Sequence, residues 1–352
     1  MRPAAARRNV SIPLYFWFPV LGSIGLGFFF MNIPPVADQF MTIFGVGYAG
    51  LSFFLSAIYW THSLVQVPAG IFIDRIGAVR SLILCLAICF VCSAAPFLAP
   101  DNLWLASLLR LVLGAGTGAL FLAMVKVAKI LTPPNHIARV QGAQGAAFCC
   151  GTMLPYLTLP WAGAYGWVAA YLSGAVFCAV YALTMLRLPR ERLRQGPSSA
   201  TLVQVWAALK IIATSKHIWF LGACHGFAYG SLNTIGNWLP SMLADRKPGT
   251  TLEDWAIATS VMLLIGTAAR ILGGEASRFM PRRVLLCRVV LIIGVFYWAM
   301  ATATSPLPLL TLAVILAFIC GATYASVFTL AIDMAEPAYV ATAVGFMNMV
   351  AN

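Results

Sequence analysis

The chain has 352 residues, 61% of them hydrophobic and only 9% charged, with a formal net charge of +12. Soluble domains carry roughly 25% charged residues, so this composition excludes an ordinary water-facing surface. The basic excess is not one block but recurs at alternate breaks between apolar runs, which excludes a nucleic-acid interface and fits the cytoplasmic loops of a polytopic membrane protein.

Apolar runs of about 20 residues recur along the chain, each long enough to cross a ~30 Å hydrocarbon core as a helix. The first covers about 12–36 and follows Arg2, Arg7 and Arg8. It is longer than the roughly 7–15 residues of a signal-peptide core, and no small-x-small site follows it, so it reads as a transmembrane helix. The second covers about 47–71 and ends at a charged turn, Gly70–Arg80 (GIFIDRIGAVR). The third covers about 80–99 and the fourth Leu103 to Leu131, stopped by Pro133 and Pro134. The fifth and sixth cover about 140–160 and 164–187. Residues 188–215 are the one long polar stretch and read as a cytoplasmic linker between two halves, 1–187 and 216–352. The second half supplies helices near 216–243, 254–277, 283–303 and 306–332, and a last run opens near Tyr339. That run meets Asn352 early, so the expected architecture is an all-α bundle of two six-helix halves, truncated within its eleventh helix.

Lys and Arg placement puts the N-terminus in the cytoplasm, because the opposite face then holds only Arg246 and Lys247. A weak internal repeat supports the two halves: Pro133–Gly151 is echoed by Glu336–Asn352, and Gly70–Arg80 by Gly273–Arg283, whose acid is missing. The nine cysteines lie mostly inside apolar runs and read as small helix residues, not as a disulfide framework or metal site.

The charged turn resembles the loop between the second and third helices of major facilitator superfamily transporters, roughly G-x-x-x-D-R-x-G-x-[RK]-[RK]. Gly70, Asp74, Arg75, Gly77 and Arg80 fill that pattern, and Ser81 replaces the final basic residue. The resemblance implies two rocking halves with a solute site between them near the midplane. It also implies a latch, with Asp74 facing the positive N-terminal end of the eleventh helix. Arg110, Gly114 and Gly118 in RLVLGAGTG are similar to the superfamily's fourth-helix pattern R-x-x-x-G-x-G. A lone arginine in a membrane helix must meet protein or water, or snorkel to the interface. The glycines permit close helix approach.

Arg270 in GTAARILGG resembles the eighth helix of nitrate- and cyanate-type anion porters, where an arginine before Gly-Gly binds the anion. Gln66 stands where those porters place a second arginine, which disfavours nitrate and leaves a single-arginine site for a small organic anion. On the seventh helix His225, Tyr229, Asn233 and Asn237 recur every fourth residue. Such a stripe faces the bundle interior, either lining a cavity or bonding to another helix. His62 and Gln66 repeat the spacing on the second helix; Asn32 and Tyr324 are further cavity candidates.

No nucleotide-binding loop, metal-ligand cluster or mid-membrane acid in the first or fourth helix occurs, so neither an enzyme, a cofactor nor carboxylate-borne proton coupling is expected. The expected function is secondary transport of a small solute, with a coupling ion such as H+ carried by a histidine. The expected setting is a monomer in a lipid bilayer, the bacterial inner membrane. A non-transporting scaffold or sensor of the same fold, or a drug-type efflux porter, is the alternative.

Overall fold

The computed structural model describes residues 12–132, 137–188, 202–276, 281–324, 326–327, 330–331 and 340–352. Every regular element among them is helical. Helix α1 (Ile12–Met31) passes through one 3-10 turn at Pro34–Val36 into α2 (Ala37–Phe44). Tandem prolines remove two N–H donors, so the helix restarts there instead of continuing. The first apolar run therefore reaches Phe44, beyond the expected end near residue 36.

Helix α3 (Tyr48–Ile76) runs straight through Gly70, Asp74 and Arg75, and α4 (Ala78–Ala94) begins two residues later. The expected turn over Gly70–Arg80 shrinks to one residue, Gly77, whose φ of 89° is open to glycine and strained for other residues. Gly70 lies inside α3 with no neighbour near its missing side chain. Arg80 is exposed in the first turn of α4, while the side chains of Asp74 and Arg75 lie outside the described residues. The reason for the shift is length: 29 residues make a helix of about 43 Å, so its last turns carry charge beyond the hydrocarbon without breaking.

Helix α5 (Leu103–Leu131) has the expected bounds; Asn102 caps it by accepting from the Leu105 N–H at 3.0 Å. Helices α6 (Ile137–Thr158) and α7 (Gly166–Thr184) follow. The stretch read as linker contains a helix, α8 (Leu202–Ala213, LVQVWAALKIIA), whose apolar composition was hidden by the charges before it. It packs against the last helix, with Ile212 buried among Leu221, Val327 and Met347. The second half continues with α9 (Lys216–Asp245), α10 (Ala256–Ala276), α11 (Arg282–Thr302), α12 (Pro306–Ala322) and α13 (Val340–Ala351). Residues 277–280, 332–339 and 133–136, within the suspected repeat, lie outside the described residues.

Packing repeats along the chain. Helix α1 lies on α6, where a Cβ on Gly27 would overlap the Phe148 carbonyl and one on Gly151 the Ile24 carbonyl. Helix α3 lies on α5, where Gly114 abuts the Ile58 carbonyl and Gly118 the His62 carbonyl. Six crossings later the same partners meet again: α9 lies on α13 through Gly222, and α10 on α12 through the Gly266–Gly321 contact. Small residues let backbones approach where no water is available to drive apolar surfaces together. Helices α4, α7 and α11 turn exposed Ile83, Val91, Val176, Val180, Leu291, Val295 and Trp298 outward. Such continuous apolar surface belongs against lipid.

Six described spans are long and apolar enough to cross a membrane: Trp17–Phe44, Ala78–Leu98, Leu103–Ala128, Pro160–Arg187, Leu252–Arg270 and Arg282–Thr302. The long helices α3 and α9 are more polar because they carry the interior His, Gln and Asn residues.

Arg246, expected as a loop charge, is part of the frame. Its Nε donates to the Ala303 carbonyl at 2.8 Å, Nη1 to Met242 at 3.0 Å and Nη2 to Met300 at 3.4 Å. One guanidinium thus satisfies last-turn carbonyls of both α9 and α11, at the negative ends of their dipoles. Arg246→Ala is expected to destabilise the protein by roughly 1.5–3 kcal/mol, the scale of a charged hydrogen bond. The check is the thermal unfolding midpoint in detergent. Arg246→Lys should recover little, because an ammonium cannot fork between two helices.

Candidate functional site

Two clusters of polar groups lie inside the bundle, joined by a tyrosine. The first is a small cavity, about 10 Å³, lined by His225 and Tyr229 of α9, Arg270 of α10, and Thr323 and Tyr324 just past α12. Their positions follow from helix geometry: His225 and Tyr229 are one turn apart and share a face. Arg270 lies over the Tyr324 ring at 4.6 Å, a cation–π contact. The His225 and Tyr229 rings stack at 5.6 Å, and His225 meets Tyr324 edge-on at 5.8 Å. The buried Nε of Arg270 makes no hydrogen bond.

The other half comes close beside the cavity. Cys149 on α6 is buried and lies within electrostatic range of Arg270, Tyr229 and Tyr324. A Cβ on Gly145, one turn earlier, would stand 4.0 Å from the Tyr324 hydroxyl. Four of the eight expected solute-site residues therefore converge here: Arg270, His225, Tyr229 and Tyr324.

Asn233 sits one turn beyond Tyr229, but its amide is used within its own helix, donating to the Tyr229 carbonyl at 3.1 Å. Asn237 donates to the Asn233 carbonyl at 2.8 Å and to the Tyr59 hydroxyl of α3 at 3.2 Å. The stripe on α9 thus divides: its first two members line the cavity, and its last bonds to another helix.

The second cluster surrounds Arg110, which is 3% exposed. Its Nη1 donates to Asn32 Oδ1 at 3.4 Å, and its guanidinium lies 5.1 Å from the Phe54 ring centre. Asn32 in turn donates to the Ala170 carbonyl at 3.0 Å. Arg110 therefore does not snorkel; it points into protein, and Nε and Nη2 remain without hydrogen-bond partners. The electrostatic neighbours of both arginines are tyrosines and a cysteine, not carboxylates. Buried cations normally require an opposite charge or a full set of acceptors.

His62 and Gln66 belong to neither cluster. His62 Nδ1 pairs with Thr117 Oγ1 of α5 at 3.1 Å and packs edge-on against Phe30. Gln66 Oε1 accepts from Asn348 Nδ2 of α13 at 3.3 Å. Gly114 and Gly118 seat α5 on α3 at the same level.

Contacts between the halves run along α3. Tyr48 donates to Asp245 Oδ1 at 3.2 Å and packs on Trp238; Tyr59 meets Asn237; Gln66 meets Asn348. Tyr48 to Gln66 spans about 27 Å of helix, so the interface is closed over most of the bundle's depth. Tyr156 of α6 adds a hydrogen bond to the Gly236 carbonyl of α9. Tyr59 is the hub, with Arg110 on one side and Tyr229 and Asn237 on the other. Sequence reasoning passed over it, although Tyr59, His62 and Gln66 fall at i, i+3 and i+7 on one face of α3.

The family model described as Major Facilitator Superfamily matches residues 20–352. No curated protein matches the sequence. Among solved structures, a bacterial homologue of the human lysosomal transporter Spinster, inward-facing and unoccupied, superposes with a TM-score of 0.73 at 17% identity. That match covers 97% of this chain and 80% of the homologue. The xylose transporter XylE of E. coli, partially occluded and inward-open, gives a TM-score of 0.73 at 15% identity over 96% of this chain and 88% of XylE. A POT family transporter in complex with 5-aminolevulinic acid gives 0.72 at 13% identity over 95% and 88%.

Proposed function

The chain belongs to the major facilitator superfamily, a family of secondary transporters working by alternating access, and we propose that its solute is a small organic anion held at Arg270. The observation that carries this reading is the guanidinium at the cavity wall. Its Nε is buried without a protein acceptor, and no carboxylate is among its electrostatic neighbours. An anion supplies both the missing acceptor and the missing charge.

The cavity's lining residues belong to α9, α10 and the end of α12 in the second half, and α6 of the first half packs beside them, so rocking the halves opens that side to one face in turn. In this reading the halves are residues 1–187 and 216–352, and the Lys and Arg distribution puts the Gly77 turn and the N-terminus in the cytoplasm. Gln66–Asn348 then closes the cytoplasmic side and Tyr48–Asp245 the outer side. Asp74 lies eight residues past Gln66 on α3, and Val340 eight residues before Asn348 on α13. Even and odd crossings run antiparallel, so the Asp74 backbone is level with the first turn of α13. That register suits a latch on a helix N-terminus. A proton, if one is coupled, travels on His225, the titratable wall residue beside Arg270. One chain holds the whole cavity, which suits a monomer in the bacterial inner membrane.

Uptake of labelled organic anions into proteoliposomes tests the reading. The expected result is saturable uptake that other organic anions inhibit. Saturable uptake of a neutral solute, unaffected by anions, would refute it.

A further inference from the structure

Resting on that reading, we infer that the solute is a monocarboxylate with a short, planar, apolar tail, and that the cavity rejects dicarboxylates, zwitterions and sugars. The argument is an inventory of what the walls offer. There is one guanidinium, Arg270, able to take one carboxylate. The second buried arginine, Arg110, does not line the cavity; Tyr59 and Asn237 stand between the two clusters. A second carboxylate would therefore sit against rings and hydrocarbon with no cation to meet it.

An ammonium group fares no better. Among the described residues no acidic side chain lines the cavity, and Arg270 would repel the ammonium. Sugars need several amides or acids arranged around a ring of hydroxyls. The amides next along α9, Asn233 and Asn237, already donate to Tyr229, Asn233 and Tyr59.

What remains fits a flat apolar tail. The Tyr229, Tyr324 and His225 rings form planar walls, and Ala228, Leu232 and Cys320 add apolar surface. At about 10 Å³ the cavity as closed holds little more than one water, so the halves must part to admit a solute, and a short tail asks the least of that opening. Gly145 and Cys149 of α6 flank Tyr324 and Arg270 from the opposite half, so a larger side chain there encroaches on the tail's side.

The test is competition in proteoliposomes, with labelled benzoate as the probe and unlabelled propionate, succinate, alanine and xylose as competitors. Benzoate is expected to be transported. Propionate should compete at a concentration at least about tenfold lower than succinate or alanine, and xylose should not compete. Succinate or alanine competing as well as propionate would overturn the monocarboxylate assignment while leaving the anion reading intact. Transport of xylose with no effect of any acid would overturn both. A second measurement uses Cys149→Phe, which narrows the tail's side of the cavity. It should shift preference from benzoate toward propionate by about tenfold or more. An unchanged ratio in a folded variant would place the tail elsewhere and refute the inference.

Discussion

Replacing Arg270 by glutamine is expected to lower kcat/KM for anion uptake by about 30-fold or more, with the protein still folded. Removing one partner of a buried, hydrogen-bonded charge pair costs roughly 2–5 kcal/mol, and 2 kcal/mol already corresponds to about 30-fold. Arg270 is half of such a pair once the carboxylate is bound, because among the described lining residues it is the one whose charge does not depend on taking up a proton near neutral pH. Folding should survive, since the side chain makes no protein hydrogen bond that glutamine would break; its packing on Tyr324 is the main loss. Arg270→Lys should fall between the two. It keeps the charge but loses the fork that grips both carboxylate oxygens and the flat face that lies on the tyrosine. Initial uptake rates across a concentration series give the parameters, and size-exclusion elution in detergent reports folding. Full uptake by Arg270→Gln would remove the anion site from Arg270.

The same residue shows how far a sequence can be read. Arg270 stood out because charge is rare in apolar helices, and its spacing from Gly273 and Gly274 carried the resemblance. His225 and Tyr229 stood out as a periodic stripe. Tyr324 was a further cavity candidate, and its contact with Arg270 needed coordinates. Charge and period are therefore legible in a membrane chain, because lipid makes each polar residue conspicuous. Residues that pass for hydrocarbon are not. Tyr59 and Tyr156 join the two halves through hydroxyls, yet each sits in an apolar run where an aromatic ring is ordinary. Cys149 reads as a small helix residue, and only the packing of α6 beside α10 brings it near Arg270. Helix limits show the same division. The bounds of α5 follow from Asn102 and the prolines after it, whereas α3 outran its expected end because charge was taken as a break. Arg246 was assigned to a loop because nothing local reveals that α11 ends beside α9.

The second large effect concerns what must not bend. Rocking transmits motion only if each half moves as a body, so contacts within a half must be firmer than contacts between halves. The polar contacts between halves are pairs of the Gln66–Asn348 kind, whose net strength is about 0.5–1.5 kcal/mol each, beside the side-chain packing of α6 on α10. Within the halves, backbones touch at glycines. Gly151→Ala is accordingly expected to cost more than the ~1–3 kcal/mol of an ordinary overpacked core, because the added Cβ meets the Ile24 carbonyl, which cannot rotate away. Helices α1 and α6 would have to separate, taking Gly27 off the Phe148 carbonyl as well. Gly294→Ala is the matched control: it lies in α11 with no atom within 4 Å of the added Cβ. There the exchange should be neutral or stabilising by up to about 1 kcal/mol, the helix-propensity gain. Thermal unfolding of both variants in the same detergent decides the matter. Equal midpoints would mean that α1 and α6 can part at little cost, and a half that yields so easily could not act as a rocking body.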